Sequence, residues 1–331
     1  MNKIEQKFLD VSVNIAGLGH YFPGEPITNK QLNEKYGFDE EWIVEHTGVK
    51  QRHWADDTRE SFVDMAKKAV ESALENANMQ KEEIDILICT SSTARPVVNP
   101  STFDNKYMDI APPLQHAVGL INAFCFDLTA VACLGFVECS MTASSLLAAL
   151  NKKNALVVCV ESPSKILNYK YKNSTLFGAG AAAVIWKKCE KEENKLIDVV
   201  MHSDGSYFNA FDIDDNNKII MKGKQVGNFA PIALTEVSKE IFERNNISVE
   251  DVDWFIPHQA NINIINELQK SLNIPEEKLL INIDVRGNTS SVGGPSCFSE
   301  NVYRGKIKKG DLIFICSIGR GYSWGGILFK Y

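Results

Sequence analysis

Several things are missing from this 331-residue chain, and each absence removes a class of function. Eight cysteines occur but never as a CxxC pair, and His20, His53, His116 and His202 have no ligand spacing, so no metal site is expected. No dense cluster of lysine and arginine exists and the net charge is -7, which argues against a nucleic-acid surface. The opening residues MNKIEQKFLDVSVNIAGLG mix acidic and basic groups and contain no long apolar run. Neither a secretory signal nor a membrane span is expected there, and the default location is the cytoplasm. The run FGAGAAAV at 177 to 184 lacks the third glycine of a phosphate loop and reads instead as a place of close backbone packing.

What is present is a large apolar fraction, 44%, over a length sufficient for two domains. The cysteines lie mostly inside apolar runs such as LICTSS, LVVCVE and IFICSIG, where they read as reduced core residues. Phe62, Met65, Ala66, Ala69, Val70, Ala73, Leu74 and Ala77 recur at helical spacing with Lys67, Lys68 and Glu71 opposite, which predicts a helix with one buried face. That helix leads into Ile84 to Thr90, a short apolar run of the buried-strand type. The same order returns later, with a helix over Ile232 to Arg244 leading into Val252 to Ile256. A second echo pairs Ala155 to Val160 with Asp311 to Cys316. Two similar α/β halves, 1–190 and 191–331, are expected, with the charged run 187–195 as the solvated crossover. Strands alternating with helices imply a layered α/β protein with sites at strand ends.

Three residues carry the candidate chemistry. Cys133 lies among small residues where a strand gives way to a helix, so the helix N-terminus should acidify it and make it an acyl acceptor. The segment 133–150 is apolar or small almost all round, which predicts a helix buried between layers. His258, in PHQAN, and Asn288, in RGNTSS, each stand at a strand end, where together they can direct two hydrogen-bond donors at one developing negative charge. Taken singly, each has a plainer reading. Cys133 could be a small core cysteine, His258 a strand cap and Asn288 a turn residue tolerant of left-handed backbone.

In their order and spacing, EEWIVEHTGVKQRH at 40 to 53, the cysteine elbow, FGAGAAAV, HSDGSYF at 202 to 208, PHQAN, GNTSS and GRGYSWGG at 319 to 326 resemble the β-ketoacyl-acyl-carrier-protein synthase III family over essentially the whole chain. The resemblance implies a thiolase-like fold of layers α-β-α-β-α, a homodimer, and no permanently bound cofactor. It further implies that Cys133 takes an acyl group from an acyl thioester, acyl-CoA above all. His258 and Asn288 would then hold the thioester oxygen of malonyl-carrier protein during decarboxylation and condensation. Backbone N–H groups of Cys133 and Arg320 would form the oxyanion hole, and His258 would be neutral. On the CoA side the family pattern falls on Trp42, His46, Lys165 and Asn261, although Trp42 also reads as a helix-packing aromatic.

Departures from the family pattern are concentrated around those outer contacts. His46 and Lys165 stand where arginines are usual, and Asn263 and Asn228 replace an arginine and a lysine on the carrier-protein side, where Lys270 is kept. Lysine and histidine do not reproduce the bidentate arginine fork, so the handling of CoA and of an acyl carrier protein is expected to differ. One extra residue between Asp127 and Cys133, and a longer loop over Thr93 to Pro100, imply a pocket for an unusual acyl group. Two alternatives follow: a specialised-metabolism relative using another acceptor, and a catalytically silent subunit of a partner synthase.

Overall fold

The structure, a computed structural model, describes residues 12–56, 59–94, 109–129, 132–193, 195–216 and 218–331. Nine strands form two sheets: β1 Val13–Tyr21, β2 Ile86–Thr90, β3 Phe124–Asp127, β4 Asn154–Glu161 and β5 Gly180–Lys188 in the first, β6 Leu196–Ser203, β7 Trp254–Pro257, β8 Leu312–Gly319 and β9 Ser323–Lys330 in the second. The first sheet runs β1-β5-β4-β2-β3 and the second β6-β9-β8-β7. In both, the first two neighbouring pairs are antiparallel and the next is parallel. The first sheet then adds β3 as an extra parallel edge strand.

Strand alternation explains the layering. Along β4, Ala155, Val157 and Cys159 belong to a core between the sheets, while Leu156, Val158 and Val160 belong to a second core on the outer face. The outer core is covered by α2, Phe62–Ala77, whose Met65, Ala66, Ala69, Val70, Ala73 and Leu74 are buried, as the spacing predicts. Ser61 caps its first turn in a capping box with Asp64, and Asn78 ends it in the left-handed conformation. The outer face of the second sheet is covered by α4, Gly223–Asn245, and α5, Ile262–Leu272. The middle layer is made of α3, Gly135–Ala149, and α6, Gly293–Tyr303. The order α-β-α-β-α thus follows from two-sided burial of both sheets.

Two elements differ from the sequence reading. The helix over Ile232 to Arg244 begins nine residues earlier, at Gly223, and contains Pro231. Two glycines and a proline hide that first stretch from a propensity argument, and the burial of Ala230 and Pro231 holds it in place. The helix after Cys133 is not buried all round. Phe136, Val137, Cys139, Ala143 and Leu147 are buried, whereas Met141, Thr142, Ser145 and Leu146 form a part-exposed stripe. Residues 132–149 are long and apolar enough to cross a membrane by composition, yet they pack against both sheets.

Candidate active site

The sequence places Cys133 just ahead of α3, in a single 3-10 turn over Ala132–Leu134. Ala132 adopts a φ of 49°, a costly conformation for a residue with a side chain, which is held here by the elements around it. A Cβ added at Gly135 would lie 2.7 Å from Thr90 Oγ1, so only glycine lets the start of α3 press against the end of β2. From β8, the Ser317 hydroxyl donates to the Cys133 carbonyl at 2.7 Å. The elbow is therefore clamped by both sheets.

His258 follows directly on β7 and is 6% exposed. Its neighbour Gln259 is fully buried, donates Nε2 to the Pro257 carbonyl at 2.7 Å and accepts the N–H groups of Asn282 and Ile283 on Oε1. That pinning fixes the strand end from which the imidazole projects. Burial lowers the His258 pKa to about 4, so the ring is neutral at pH 7 and carries one N–H donor.

Asn288 is positioned by a close approach of two backbones. Asn288 N donates to the Leu176 carbonyl at 2.8 Å and Gly178 N to the Asn288 carbonyl at 3.0 Å. A Cβ on Gly178 would lie 2.1 Å from the Arg286 carbonyl, which explains the glycine-rich run at 177 to 184. The side-chain Oδ1 accepts the Ser290 N–H at 2.8 Å. Because a backbone N–H can only donate, the amide orientation is settled and Nδ2 remains as the donor.

Cys133, His258 and Asn288 all line one cavity of about 680 Å³, together with Arg320 and Tyr322. The expected acidification of Cys133 is not what the resting site shows. Burial pushes its thiol up to about 12, opposed by a hydrogen bond with Ser290 and reinforced by the charge of Glu161. Desolvation of a thiolate in this enclosed site outweighs the helix terminus, which begins only at Gly135, two residues further on.

The outer candidates are divided. Trp42 and His46 lie on α1, Glu40–Thr47, and line the mouth of the cavity with Asn228, Asn261 and Asn263. The His46 ring stacks on Trp42 at 4.6 Å, and the Lys172 ammonium lies 4.7 Å from the Trp42 ring centre. Asn261 caps α5 and donates Nδ2 to the His46 carbonyl at 2.7 Å; Asn263 donates to the same carbonyl at 3.1 Å. Lys165 and Lys270 are outside the cavity wall, Lys270 exposed near the end of α5. Residues 95–100 of the longer loop, and residues 130 and 131 of the lengthened segment before Cys133, lie outside the described residues.

Sequence reasoning passed over Ser92, Glu161 and Ser290, which also line the cavity. A signal existed for Glu161: it is the sole charge ending the apolar run LVVCVE. Ser290 had none, being one of several small polar residues in NTSS.

A cysteine thiol, a neutral imidazole and an oriented carboxamide lining one cavity at strand ends of both sheets define a thiolase-fold acyltransferase of the condensing class. Residues 126–205 match the model described as 3-oxoacyl-[acyl-carrier-protein (ACP)] synthase III, and residues 242–331 its C-terminal counterpart. The chain is 33% identical over 322 residues to the β-ketoacyl-[acyl-carrier-protein] synthase III of Aquifex aeolicus, covering 97% of this chain and 100% of that one. The Ehrlichia canis synthase is 34% identical over 324 residues, covering 96% and 98%. Among solved structures, the Aquifex synthase superposes with a TM-score of 0.89 over 96% of this chain and 100% of its own. The priming β-ketosynthase of the R1128 polyketide pathway gives 0.87 at 26% identity, covering 97% and 96%. The chain belongs to the β-ketoacyl-[acyl-carrier-protein] synthase III family.

Proposed function

We propose that the chain loads an acyl group from an acyl thioester, with acyl-CoA as the leading donor, onto Cys133 and condenses it with malonyl-carrier protein. Cys133 Sγ attacks the thioester carbonyl while the backbone N–H groups of Cys133 and Arg320 receive the oxyanion, and the donor thiolate departs. The malonyl thioester then loses carbon dioxide. The resulting enolate oxygen accepts from the His258 ring N–H and Asn288 Nδ2, and its carbon attacks the acyl group on Cys133. Collapse expels the Cys133 thiolate and releases a β-ketoacyl thioester. A neutral His258 suits this role because it donates without needing a proton from solvent. Substrates bind transiently and no resident cofactor is invoked.

The observation that carries the reading is the single cavity lined by Cys133, His258 and Asn288, with the Asn288 amide oriented by Ser290. Intact-mass measurement after mixing with acyl-CoA donors tests it. An acyl adduct is expected on the wild type and not on Cys133→Ala; no adduct on the wild type, or one that survives the substitution, sinks it.

A second reading, a specialised relative with another donor or acceptor, is favoured by the covered face of Trp42. Carrier-protein docking near Asn263 and Lys270 belongs to the same proposal, with a weaker basic surface than the family pattern. The matching strand orders of the two sheets support an internal duplication of 1–190 and 191–331. A homodimer is supported by the edge strand β3, paired on one side only among the described residues, with Phe124 62% exposed and Ile121 75% exposed beside it. Phe124→Asp should weaken self-association at least about tenfold, since burying one such side chain contributes about 1.5–3 kcal/mol. An unchanged sedimentation profile would remove β3 from the interface.

A further inference from the structure

His258 follows β7 and Asn288 precedes α6, so the two donors of the proposed enolate site come from different segments and must meet at one oxygen. Donors that converge on one atom have to be held to about 0.5 Å, which places a demand on the residues behind them. Between them the chain makes a single helical turn, Ile283–Arg286, with Asn282 at its N-cap position. Asn282 and Arg286 stand four residues apart, so they project from the same side of that turn. Both meet the carboxylate of Glu300, a residue of α6 that is 3% exposed. Asn282 Nδ2 donates to Glu300 Oε2 at 2.9 Å. Arg286 donates Nη2 to Oε1 at 2.7 Å and Nε to the same oxygen at 3.2 Å, and Arg304 adds a longer contact of 3.5 Å from farther along α6.

Each end of the turn leads to one of the donors. At its start, the Asn282 and Ile283 N–H groups donate to Gln259 Oε1 at 2.9 and 3.1 Å, and Gln259 is the neighbour of His258. At its end, only Gly287 separates Arg286 from Asn288. Gly287 has a φ of 68°, which a glycine adopts freely but does not stiffen, so Arg286 is the anchor on that side. A second bond holds the guanidinium, from Nη1 to His53 Nε2 at 2.8 Å. His53 Nδ1 faces the Pro23 and Gly24 carbonyls, which only accept, so it carries the ring hydrogen and leaves Nε2 to receive Arg286.

We propose that Glu300 is a positioning residue for the enolate site: one carboxylate grips both ends of the turn and thereby fixes His258 and Asn288 relative to each other. The proposal rests on the reading that these two residues hold the enolate. Glu300 itself stands outside the cavity wall and acts through Asn282 and Gln259 on one side and through Arg286 on the other. A carboxylate is required because both ends of the turn present donors, and only a carboxylate accepts on both of its atoms.

Glu300→Gln tests this with almost no change of shape, since its amide can accept at one end and must oppose a donor at the other. Two half-reactions are measured separately on the full chain. Acylation of Cys133 in a single turnover uses neither His258 nor Asn288, whereas decarboxylation of a malonyl thioester uses both. Decarboxylation at saturating substrate is expected to fall about ten- to a hundredfold, with its KM and the acylation rate within about twofold of the wild type. A merely structural role would lower both half-reactions together. Asn282→Ala removes the bond to Oε2 but keeps the Arg286 pair and both N–H bonds to Gln259, so it should show the same split more weakly even if Glu300→Gln fails to fold. In combination, the two substitutions should be at most about twofold slower than Glu300→Gln alone, because they cut one linkage. Crystal structures of the wild type and of either variant read the positions without turnover: the His258 ring and the Asn288 amide should move relative to each other by more than about 0.5 Å. A wild type that takes an acyl group but does not decarboxylate would end the proposed condensation and leave this comparison to decide the role of Glu300. An unmoved pair, an unchanged decarboxylation rate in the variants, or two half-reactions that fall together overturns that role.

Discussion

Acidification offers the sharpest probe of the site, because one buried residue ties stability to the protonation state that the proposed mechanism requires. His258 has a folded pKa of about 4 against 6.5 when unperturbed, and burial is the cause. The sign follows directly. Above pH 6.5 the ring is neutral in both folded and unfolded chains and contributes no pH dependence. Below 6.5 the unfolded chain binds a proton that the folded chain refuses, so stability falls with pH until about 4, where the native ring also protonates. The difference between 6.5 and about 4 corresponds to about 3 kcal/mol lost over that window. Urea unfolding at half-unit pH steps, on the wild type and on His258→Gln, isolates this contribution from the carboxylates that titrate in both. The variant should lose about 3 kcal/mol less than the wild type between pH 6.5 and 4. In parallel, decarboxylation of a malonyl thioester should show no titration attributable to His258 between pH 5 and 8. Equal pH dependence in the two proteins, or a decarboxylation rate that titrates near 6.5 and loses that step in the variant, would refute the neutral, buried donor.

Two further outcomes follow from the same geometry. Asn288→Asp keeps the acceptor for the Ser290 N–H but replaces the Nδ2 donor with negative charge, so decarboxylation should fall about 100- to 1,000-fold in single-turnover assays; a fall of less than tenfold would remove Asn288 from the enolate site. Gly178→Ala drives a Cβ to 2.1 Å from the Arg286 carbonyl and should cost about 1–3 kcal/mol, read as a lower midpoint in urea, together with reduced condensation because Gly178 N anchors Asn288; an unchanged midpoint would show that the two segments can separate freely.

The amino-acid sequence by itself determined the periodic parts of this protein. The helix at 62–77 and the buried strands could be read from spacing, because burial on one face or two imposes a repeat that is visible in one dimension, whereas Cys133, His258 and Asn288 stood out only through their local contexts and the order of the motifs that hold them. Motif order also sufficed to indicate the family, and with it the layered fold. The tertiary structure alone decided what each candidate residue experiences. The high thiol pKa of Cys133, the low imidazole pKa of His258 and the fixed amide of Asn288 depend on desolvation and on polar groups supplied by distant segments of the chain, as Leu176, 112 residues from Asn288, accepts its backbone N–H. The same holds for Glu161, which reads locally as a charge closing an apolar strand and becomes part of the site only when β2 and the turn before α6 fold onto it. Periodicity records how much of a side chain is buried; it carries no record of which polar atoms share the enclosure, and that depends on contacts made between the two sheets.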